Sequence, residues 1–396
     1  MVQRYLNISK ELGKSSTAFL FGARGVGKTR LCAEYIAQLN ADGHEVITYD
    51  LLHNETYQRF LKRPHLFRLE VTERAKSGKP LMVFVDEIQK VPALLDEVHS
   101  LYETYRKSVR FLLSGSSARK LRRVGANLLA GRALTLRLHP LLDLEVPQSA
   151  VQNARSGSLP GVIIENDDPA QTLRSYVSTY LKEEIQQEAL VRKVEAFARF
   201  LEVAGQYHGE IINASNIATY AGVSSQTIAD YLSILEDTLL AWRLPGWHAS
   251  TTKQLRLTPK LYLFDNGVAT ALRGELGIEV IESSSRFGKM FEARVIQEMF
   301  RLNDYEKLDL KFSYWRTNTD VEVDVIVSRG AGQPLAAIEI KSSTSPGETS
   351  LSSLGRFGRD YPKVPKYCVC LADRAFQLGD IQIVPFRDLS ALLKKI

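Results

Sequence analysis

The first part of the chain alternates short apolar runs with longer stretches in which apolar residues recur every three to four positions. Runs at 17–21, 81–85 and 109–113 are continuous enough to predict buried strands. Between the first two, residues 30–39 have the apolar spacing of an amphipathic helix. Strands that alternate with helices in this way predict an α/β domain with a mostly parallel sheet over residues 1–145.

The later segments change from polar to helical and then return to a mixed pattern. Polar residues dominate from 148 to 169, and residues 170–194 have the spacing of one long amphipathic helix, so we expect 146–194 to be a connector. Residues 195–279 predict a compact helical middle domain with a strand pair. Residues 280–396 predict a second mixed α/β domain.

The middle domain has the pattern of a helix-turn-helix followed by a β-ribbon, which is typical of a winged helix. Its predicted helices are 196–207, 213–220 and 225–240, and its predicted strands are 240–244 and 260–264. Ser224 is placed to cap the third helix. A scaffold that packs between domains is the alternative to a DNA reader, because the exposed face of this helix has no arginine or lysine. In a DNA reader, four polar residues would face a groove: Ser225, Gln226, Thr227 and Asp230.

Composition and charge limit the environments and partners of the chain. With 44% hydrophobic and 24% charged residues, its 396 residues are typical of a globular protein of two or three domains. The net charge of +6 is compatible with a polyanionic partner without requiring one. Cys32, Cys368 and Cys370 have neither a disulfide pattern nor zinc spacing, and no membrane-spanning run or secretory leader is apparent. We therefore expect a cytoplasmic protein without membrane contact.

The eight residues after the first predicted strand have the spacing G-x-x-x-x-G-K-T, the pattern of a phosphate-binding loop. Gly22, Gly25 and Gly27 would let backbone N–H groups turn toward phosphate oxygens. Lys28 can reach the β- and γ-phosphates, and the Thr29 hydroxyl can ligate Mg²⁺. The predicted helix that follows presents its positive N-terminus to the same anion. The alternative is a glycine-rich turn with a chance lysine.

Two carboxylates, Asp86 and Glu87, end the second apolar run. At the carboxyl edge of a parallel sheet, Asp86 can hold the water shell of Mg²⁺ and Glu87 can polarise the attacking water, whereas in isolation they would be a solvated turn. Ser114 or Ser116, at the polar end of the third run, is predicted to sense the γ-phosphate. Arg132 is either an arginine finger, in cis or toward a neighbouring subunit, or an ordinary surface arginine.

The last domain begins its strand pattern with a predicted β-hairpin over 314–316 and 321–327. Strict alternation would put the four valines at odd positions of the second strand on one face. Glu322 and Asp324 would then lie on the other face. The hairpin is thus expected to present carboxylates opposite its apolar side.

A further strand at 336–341 carries Glu339 and Lys341, which share a face because side chains alternate along a strand. Asp324 and Glu339 could therefore hold one Mg²⁺ while Lys341 orients or polarises a hydroxide, as in many metal-dependent nucleases. Glu292, on a helix predicted upstream, would add a carboxylate. The alternative is a charged sheet face with a Glu–Lys pair, since the spacing is short enough to occur by chance.

In this order and spacing, the motifs resemble the bacterial and archaeal AAA-type ATPases that carry a C-terminal DUF4143 domain. One departure lies in the loop, where such proteins often have Arg-Gln and this chain has Arg24 and Gly25. The resemblance extends nearly from end to end. It is carried by the segments 22–29, 85–92, 114–117, 129–132, 176–181, 223–227, 259–267 and 287–292, with Asp324, Glu339 and Lys341.

The resemblance implies an AAA-type ATPase core, a winged-helix middle domain and a terminal domain similar to PD-(D/E)xK nucleases. It implies ATP and Mg²⁺ as cofactors, and a homo-oligomer because AAA-type ATPases commonly place active sites between subunits. Transferred position by position, it assigns an ATP site to Lys28, Thr29, Asp86 and Glu87, and a candidate nuclease site to Glu292, Asp324, Glu339 and Lys341.

Together, motifs and resemblance predict a magnesium-dependent ATPase coupled to a DNA-binding, nuclease-like domain. Its expected setting is DNA repair, recombination or defence against foreign DNA. One alternative is an ATP-switched DNA-binding regulator whose nuclease fold is inactive. Another is a signalling or scaffold ATPase that acts on a protein partner.

Overall fold

The computed structural model describes residues 2–116, 119, 121, 129, 131–164, 168–180, 194–254, 257–330 and 333–396. These residues form two compact units. The first consists of Met1–His139 with Asp237–Leu239, and the second of Pro140–Glu236 with Leu240–Ile396. Within the described ranges, no helix combines the length and the apolar character that crossing a membrane requires.

The first unit is built on one parallel sheet. Its strands are β1 (Thr17–Phe21), β2 (Glu45–Asp50), β3 (Leu81–Asp86), β4 (Val109–Gly115) and β5 (Leu134–Arg137). They lie in the order β2-β3-β4-β1-β5, and each neighbouring pair is parallel, which confirms the predicted α/β domain. The described helices are Ile8–Leu12, Lys28–Ala41, Asn54–Lys62, His65–Ala75 and Leu94–Tyr105.

The central strands of this sheet are apolar because they are buried on both faces. Every residue of β1 and β3 is buried, as expected for parallel strands. Tyr49, Phe60 and Phe67 pack together beside the sheet, with ring centroids between 5.2 and 5.8 Å apart. The parallel register brings all carboxyl ends to one edge, where Phe21 at the end of β1 lies beside Gly115 of β4.

The second unit contains the elements predicted for a winged helix, in the predicted order. Ser224 caps its third helix, since the Ser224 hydroxyl accepts the N–H of Thr227 at 3.2 Å. The helices are Val194–Gln206, Ala214–Ala221 and Ser225–Asp237. The strands β6 (Glu210–Ile211), β7 (Ala241–Leu244) and β8 (Lys260–Leu263) form an antiparallel sheet with β8 in the centre.

The predicted long helix of the connector is described only in part. A helix spans Pro169–Ser175 and continues as a π-helical turn over Tyr176–Tyr180. Asp168 caps it by accepting the N–H of Gln171 at 3.0 Å. Residues 181–193 lie outside the described part of the chain. Two further helices, Ala150–Ser156 and Pro160–Ile163, precede the helix Pro169–Ser175.

The remainder of the second unit is a six-stranded mixed sheet. Its strands are β9 (Leu310–Arg316), β10 (Glu322–Arg329), β11 (Pro334–Lys341), β12 (Lys366–Cys370), β13 (Phe376–Leu378) and β14 (Ile381–Pro385), in the order β13-β14-β12-β11-β10-β9. The predicted hairpin is β9 with β10, and the predicted further strand is β11. Helices in this part are Thr251–Gln254, Asn266–Leu272, Ser285–Glu306, Ser352–Asp360 and Leu389–Lys395.

The valine alternation predicted for the hairpin does not continue along β10. The pairing register between β9 and β10 shifts between Val323 and Ile326, which marks a β-bulge. Val323 and Ile326 consequently pack in the same apolar cluster although they lie three positions apart. The prediction that all four odd-numbered valines share a face is therefore wrong, because the inserted residue reverses the alternation.

A buried arginine, Arg301, joins the start of the second unit to the long helix Ser285–Glu306, on which it lies. The Arg301 guanidinium donates to the carbonyls of Leu141 at 3.0 Å and Phe264 at 2.7 Å, and to the Ser158 hydroxyl at 3.0 Å. These contacts cross the predicted domain boundaries at 146, 195 and 280. All three boundaries fall inside one compact unit, and the division of this unit into domains stays a prediction.

His208 is fully enclosed in this unit as a neutral imidazole. Its Nδ1 accepts the backbone N–H of Leu263 at 3.0 Å, so Nε2 carries the proton and donates to Asn266 Oδ1 at 3.0 Å. The pKa of His208 is lowered to about 4, mainly by burial; the Asn266 hydrogen bond opposes this shift and the positive charge of Arg273 adds to it.

We expect this imidazole to make the second unit less stable in acid. Its folded pKa lies below the ordinary value, so its contribution is complete above pH 6.5 and declines as the pH falls toward 4. Between pH 7 and pH 5 it should remove about 2 kcal/mol from the unfolding free energy. Urea unfolding followed by tryptophan fluorescence measures this, because Trp242, Trp247 and Trp315 all lie in the second unit.

His208→Gln is the matched control, since glutamine can accept from Leu263 and donate to Asn266 without titrating. Comparing the two proteins cancels the pH-dependent contributions of other titrating groups. One such group is Glu298, because its burial raises its pKa to about 7. The wild type should lose about 2 kcal/mol more than the variant over this pH interval. Equal losses in the two proteins would contradict the prediction.

Candidate nucleotide and metal sites

The loop between β1 and the helix Lys28–Ala41 has the backbone of a phosphate cradle. Gly25 and Gly27 have φ angles of +80° and +95°, which side chains strongly disfavour. A Cβ at Gly22 would lie 2.5 Å from the carbonyl oxygen of Leu138, so this position also requires glycine. The loop ends at the N-terminus of a helix, whose free N–H groups favour an anion.

Lys28 is folded into the loop that it would use to bind phosphate. Its ammonium donates to the carbonyls of Gly22 at 2.7 Å and Ala23 at 3.2 Å, and only 8% of the residue is exposed. Both of these acceptors are neutral carbonyls, so these contacts give the buried ammonium no anionic partner. A phosphate in the cradle would supply that partner, so the residues present fit the group that the motif implies.

The ends of β1, β4 and β3 bring three further predicted residues together. The Thr29 hydroxyl donates to Asp86 Oδ2 at 3.3 Å, and the Ser114 hydroxyl donates to the other oxygen of the same carboxylate. Asp86 is buried beside them. A hydroxyl and a carboxylate at this spacing are suitable ligands for Mg²⁺ or its water shell.

Glu87 is held by a residue that the sequence motifs had not singled out. Its backbone adopts a left-handed conformation with φ +57°, and its N–H donates to the Ser114 hydroxyl at 3.4 Å. The Gln89 amide donates to the Glu87 carboxylate and, at 3.2 Å, to the Ser116 hydroxyl. A Cβ at Gly115 would lie 2.4 Å from Gln89 Oε1, so this amide is closely packed. Gln89 thus fixes the Glu87 carboxylate at the sheet edge.

Arg132 is not brought to the loop of its own chain. Its carbonyl accepts the hydroxyl of Ser15, which precedes β1, at 3.4 Å, so it lies near the amino edge of the sheet. Its guanidinium pairs with Glu103 at 2.8 Å. The phosphate loop follows the opposite, carboxyl edge. A role toward a neighbouring subunit stays a prediction.

The acid-acid-lysine set of the second unit is brought together on β10 and β11. The Lys341 ammonium donates to Glu339 Oε1 at 2.7 Å, as their shared face predicts. Asp324, inside the β-bulge region, accepts the backbone N–H of Ile340 at 2.6 Å. The two carboxylates and the lysine therefore lie on adjacent strands at one place in the sheet.

Glu292, on the helix Ser285–Glu306, reaches the same cluster but with its own partners. Its Oε1 accepts the Tyr262 hydroxyl at 2.7 Å and the Lys260 ammonium at 3.3 Å. Lys260 also pairs with Glu322 of β10. Lys260 and Tyr262 lie on β8, and no spacing rule links them to partners 62 and 30 positions away. The predicted motif therefore missed them as members of the cluster.

The cluster has more negative than positive charge in a buried place. Burial raises the pKa of Asp324 far above its ordinary range, and the carboxylates of Glu339 and Glu292 raise it further. Burial also raises the pKa of Glu339, against the Lys341 ammonium. Burial alone would lower the pKa of Lys341, but its charge and hydrogen-bond interactions with Glu339, together with Asp324, outweigh burial, so the pKa is raised.

Asp324 and Glu339 fit a hard divalent cation, whereas a three-carboxylate site is not formed. Glu339 Oε2 is buried and makes no hydrogen bond of ordinary length to the described residues, although the Ser353 hydroxyl is near enough to lower the pKa of Glu339, so this oxygen could bind a ligand. Among the described residues, no three His, Cys, Asp or Glu side chains lie together as a metal-binding group. The structure does not place Glu292 as a third ligand, because its Oε1 is engaged by Tyr262 and Lys260.

Three family models match successive parts of the chain. Residues 14–146 match the model described as "AAA domain", and residues 287–389 match "Domain of unknown function (DUF4143)". Between them, residues 150–279 match "Domain of unknown function (DUF8612)". The AAA-type domain followed by a C-terminal DUF4143 domain, predicted from the motifs, is confirmed.

The chain is also similar to uncharacterized bacterial proteins. It is 27% identical over 342 residues to a protein of Mycobacterium tuberculosis, with 86% of this chain and 73% of that protein covered. It is 24% identical over 315 residues to a protein of Haemophilus influenzae, with 73% and 76% covered. Both similarities extend beyond the AAA domain.

Solved structures give weaker similarities. AMPPCP-bound DnaA of Aquifex aeolicus is 13% identical, with 58% of this chain and 86% of that chain covered and a TM-score of 0.29. RuvB of Thermotoga maritima is 17% identical, with 62% and 90% covered and a TM-score of 0.31. Scores this low do not indicate what the present chain binds.

Proposed function

We propose that this chain, which carries an AAA domain followed by a DUF4143 domain, is a magnesium-dependent ATPase coupled to a DNA-binding, nuclease-like domain. The observation that carries the proposal is the convergence of Lys28, Thr29, Asp86 and Ser114 at one edge of a parallel sheet. A buried ammonium beside a glycine cradle, with a hydroxyl and a carboxylate next to it, has the chemistry of nucleotide binding.

In the proposed ATPase reaction, each side chain has a positioning or electrostatic role. Lys28 would exchange its two carbonyl acceptors for the β- and γ-phosphates. Thr29 and Asp86 would hold Mg²⁺, which supplies charge neutralisation for the phosphates when bound. Glu87 would orient the attacking water and accept its proton, while Ser114 connects Asp86 to the backbone of Glu87.

In the proposed nuclease-like site, Asp324 and Glu339 would hold Mg²⁺. Lys341, fixed by Glu339, would orient a water or hydroxide toward a phosphodiester. Glu339 Oε2, which is buried and makes no hydrogen bond of ordinary length within the described part of the chain, supports this assignment. ATP binding would order Arg132 and the connector in a homo-oligomer and so control how the second site meets DNA.

An ATP-switched DNA-binding regulator with an inactive nuclease fold is the second candidate. The observation that favours it is the placement of Glu292, which pairs with Lys260 and Tyr262 and leaves a metal with only two carboxylates. DNA repair, recombination and defence against foreign DNA are compatible with either candidate. A scaffold ATPase is favoured by the helix Ser225–Asp237, which contains no arginine or lysine.

Glu87→Gln is expected to keep nucleotide binding and to block turnover. Glutamine preserves the size of the side chain but cannot accept a proton from water, so the rate should fall by roughly 10² to 10⁴. Phosphate release and ATP affinity, measured on the same preparation, separate the two effects. Glu34→Gln, on the helix after the loop and paired with Arg30, is the control and should hydrolyse normally. Normal hydrolysis by Glu87→Gln would remove Glu87 from this role.

The same variant tests the DNA half of the proposal, because it holds ATP without turnover. Its affinity for short duplex and single-stranded DNA, titrated over ionic strength, should fall steeply with salt and differ between the ATP-bound and nucleotide-free protein. A flat salt response would support the scaffold ATPase instead. Equal affinity in both nucleotide states would argue against coupling.

A further inference from the structure

Strand β8 of the small antiparallel sheet sends two side chains into the carboxylate cluster of the large mixed sheet. Lys260 and Tyr262 are two positions apart and so lie on one face of β8. The Lys260 ammonium lies 3.3 Å from Glu292 Oε1 and pairs with Glu322, and the Tyr262 hydroxyl donates to Glu292 at 2.7 Å. Both side chains belong to the second compact unit.

This lysine is unusual because it is almost completely buried. Only 7% of its side chain is exposed, whereas the side chains of Glu292 and Glu322 are 19% and 22% exposed. A buried ammonium is strongly unfavourable unless carboxylates compensate it. Here the carboxylates of Glu292, Glu322 and Asp324 outweigh the effect of burial and raise the pKa of Lys260, so it remains charged.

The cluster therefore has two kinds of carboxylate. Glu292 and Glu322 share the fixed ammonium of Lys260, and Tyr262 adds a hydrogen bond to Glu292. Asp324 and Glu339 are more deeply buried, and Glu339 Oε2 makes no hydrogen bond of ordinary length to any residue that the structure describes. Glu339 also pairs with Lys341 at 2.7 Å, so its second oxygen and the Asp324 carboxylate are the groups left for a divalent ion.

We propose that Lys260 is a positioning residue that acts as the internal counter-cation of this cluster, holding Glu292 and Glu322 away from the divalent ion so that only Asp324 and Glu339 bind it. The inference rests on the metal-dependent site of the proposed function and specifies how many divalent ions that site binds. It also makes the site depend on β8, which lies outside the DUF4143 match at residues 287–389.

The central test is Lys260→Met, which keeps much of the side-chain length and removes the charge. Glu292 would then lack its counter-cation and, of its described ion pairs, Glu322 would keep only the one with Arg316, 3.8 Å away, so a divalent ion becomes their best partner. Mn²⁺ is the probe, counted by isothermal titration without nucleotide. Every protein carries Thr29→Ala to weaken divalent binding at the phosphate loop. We expect about one Mn²⁺ per chain with Lys260 present and about two in Lys260→Met.

Thermal unfolding, followed by tryptophan fluorescence, gives a second readout. Without a divalent ion, Lys260→Met should unfold at a clearly lower temperature than the parent, because Glu292 loses its cation and Glu322 is left with the more distant Arg316. Mn²⁺ should restore most of this difference in the variant and shift the parent less. A lysine needed only for packing would give the loss of stability without the restoration.

Lys289→Met is the matched control. Lys289 lies on the same helix as Glu292 and pairs with Glu210 of the small sheet, so it also links that sheet to the long helix. Its side chain is 63% exposed, in contrast to Lys260. Lys289→Met should therefore bind about one Mn²⁺ and keep the stability of the parent, as expected for an exposed pair.

Two variants keep the test decisive if Lys260→Met does not fold without the ion. Lys260→Arg retains the charge and should bind about one Mn²⁺ with stability close to that of the parent. Lys260→Met combined with Glu322→Gln removes the ammonium and one of its carboxylates, and should also bind about one Mn²⁺. A second ion in either protein would overturn the proposal.

The outcomes separate this inference from the proposed function. One ion in the parent and one in Lys260→Met, with equal affinity, would overturn the role of Lys260 and leave the metal site intact. No ion in the parent, which keeps Asp324 and Glu339, would overturn the metal site itself and the inference with it. One ion in the parent and two in Lys260→Met, with Mn²⁺-dependent stability in the variant, would support both.

Discussion

Replacing Lys28 by alanine is expected to abolish nucleotide binding at micromolar protein concentrations. Its ammonium is already directed into the loop, where it donates to the carbonyls of Gly22 and Ala23. Hydrogen bonds to charged groups contribute about 1.5 to 3 kcal/mol each, so the loss of contacts to two phosphates should weaken binding by roughly a hundredfold or more. Isothermal titration with ATP and Mg²⁺ measures the change directly.

Arg30→Ala is the control for general electrostatic attraction. Arg30 lies in the first turn of the same helix, but its side chain is half exposed and pairs with Glu34 at 3.2 Å. Its loss should change the affinity for ATP by less than about threefold, as expected for a solvent-screened charge. If Lys28→Ala retained tight ATP binding, the loop would not be the nucleotide site. Equal weakening by both variants would indicate a non-specific attraction.

The nucleotide site was largely predictable because most of its chemistry is local. The loop, Lys28 and Thr29 are consecutive, and a single strand–loop–helix unit fixes their geometry. The contact of Ser114 with Asp86 was not predictable, because it depends on β4 lying between β1 and β3. Hydrophobic periodicity predicts strands but does not give their order in a sheet.

Arg132 illustrates the same limit. Its sequence neighbourhood, close after the third strand run, is compatible with either edge of the sheet. Its position near the amino edge follows from the parallel pairing of β5 with β1, which brings the start of β5 beside the start of β1. Only the assembled sheet shows that the guanidinium meets Glu103 rather than the phosphate loop of its own chain.

In the second site, contacts between residues close in sequence were predictable. Contacts that depend on how separate strands and helices pack were not. Glu339 and Lys341 share a face by simple alternation, and the structure pairs them. The β-bulge near Asp324 has no signal in the valine pattern, so alternation alone assigned the wrong faces. Lys260 reaches Glu322 across 62 positions, a contact that depends on how the two sheets of the unit pack.

Asp324→Asn is expected to abolish metal-dependent DNA cleavage while leaving the second unit folded. Asparagine can still accept the N–H of Ile340 but no longer supplies a negative ligand. Losing one of two carboxylates from a divalent site should reduce cleavage by on the order of 10³ or more. Plasmid and single-stranded DNA, incubated with Mg²⁺ and then with EDTA, provide the assay. Lys341→Ala should lose cleavage as well, since the residue that orients the hydroxide is absent.

The unfolding temperature distinguishes loss of cleavage from loss of folding. A misfolded variant would unfold at a lower temperature, whereas removal of the buried Asp324 charge should not lower it. Burial and the nearby carboxylates raise the pKa of Asp324, so its charged form is unfavourable in the folded protein without a cation. Asp324→Asn should therefore unfold at an equal or higher temperature than the wild type when no divalent ion is present.

Asp320→Asn is the matched control, because Asp320 is 78% exposed on the same hairpin and pairs with Arg316. It should cleave normally. Cleavage by Asp324→Asn at the wild-type rate would remove this residue from the site, and no cleavage of any DNA by the wild type would favour the ATP-switched regulator.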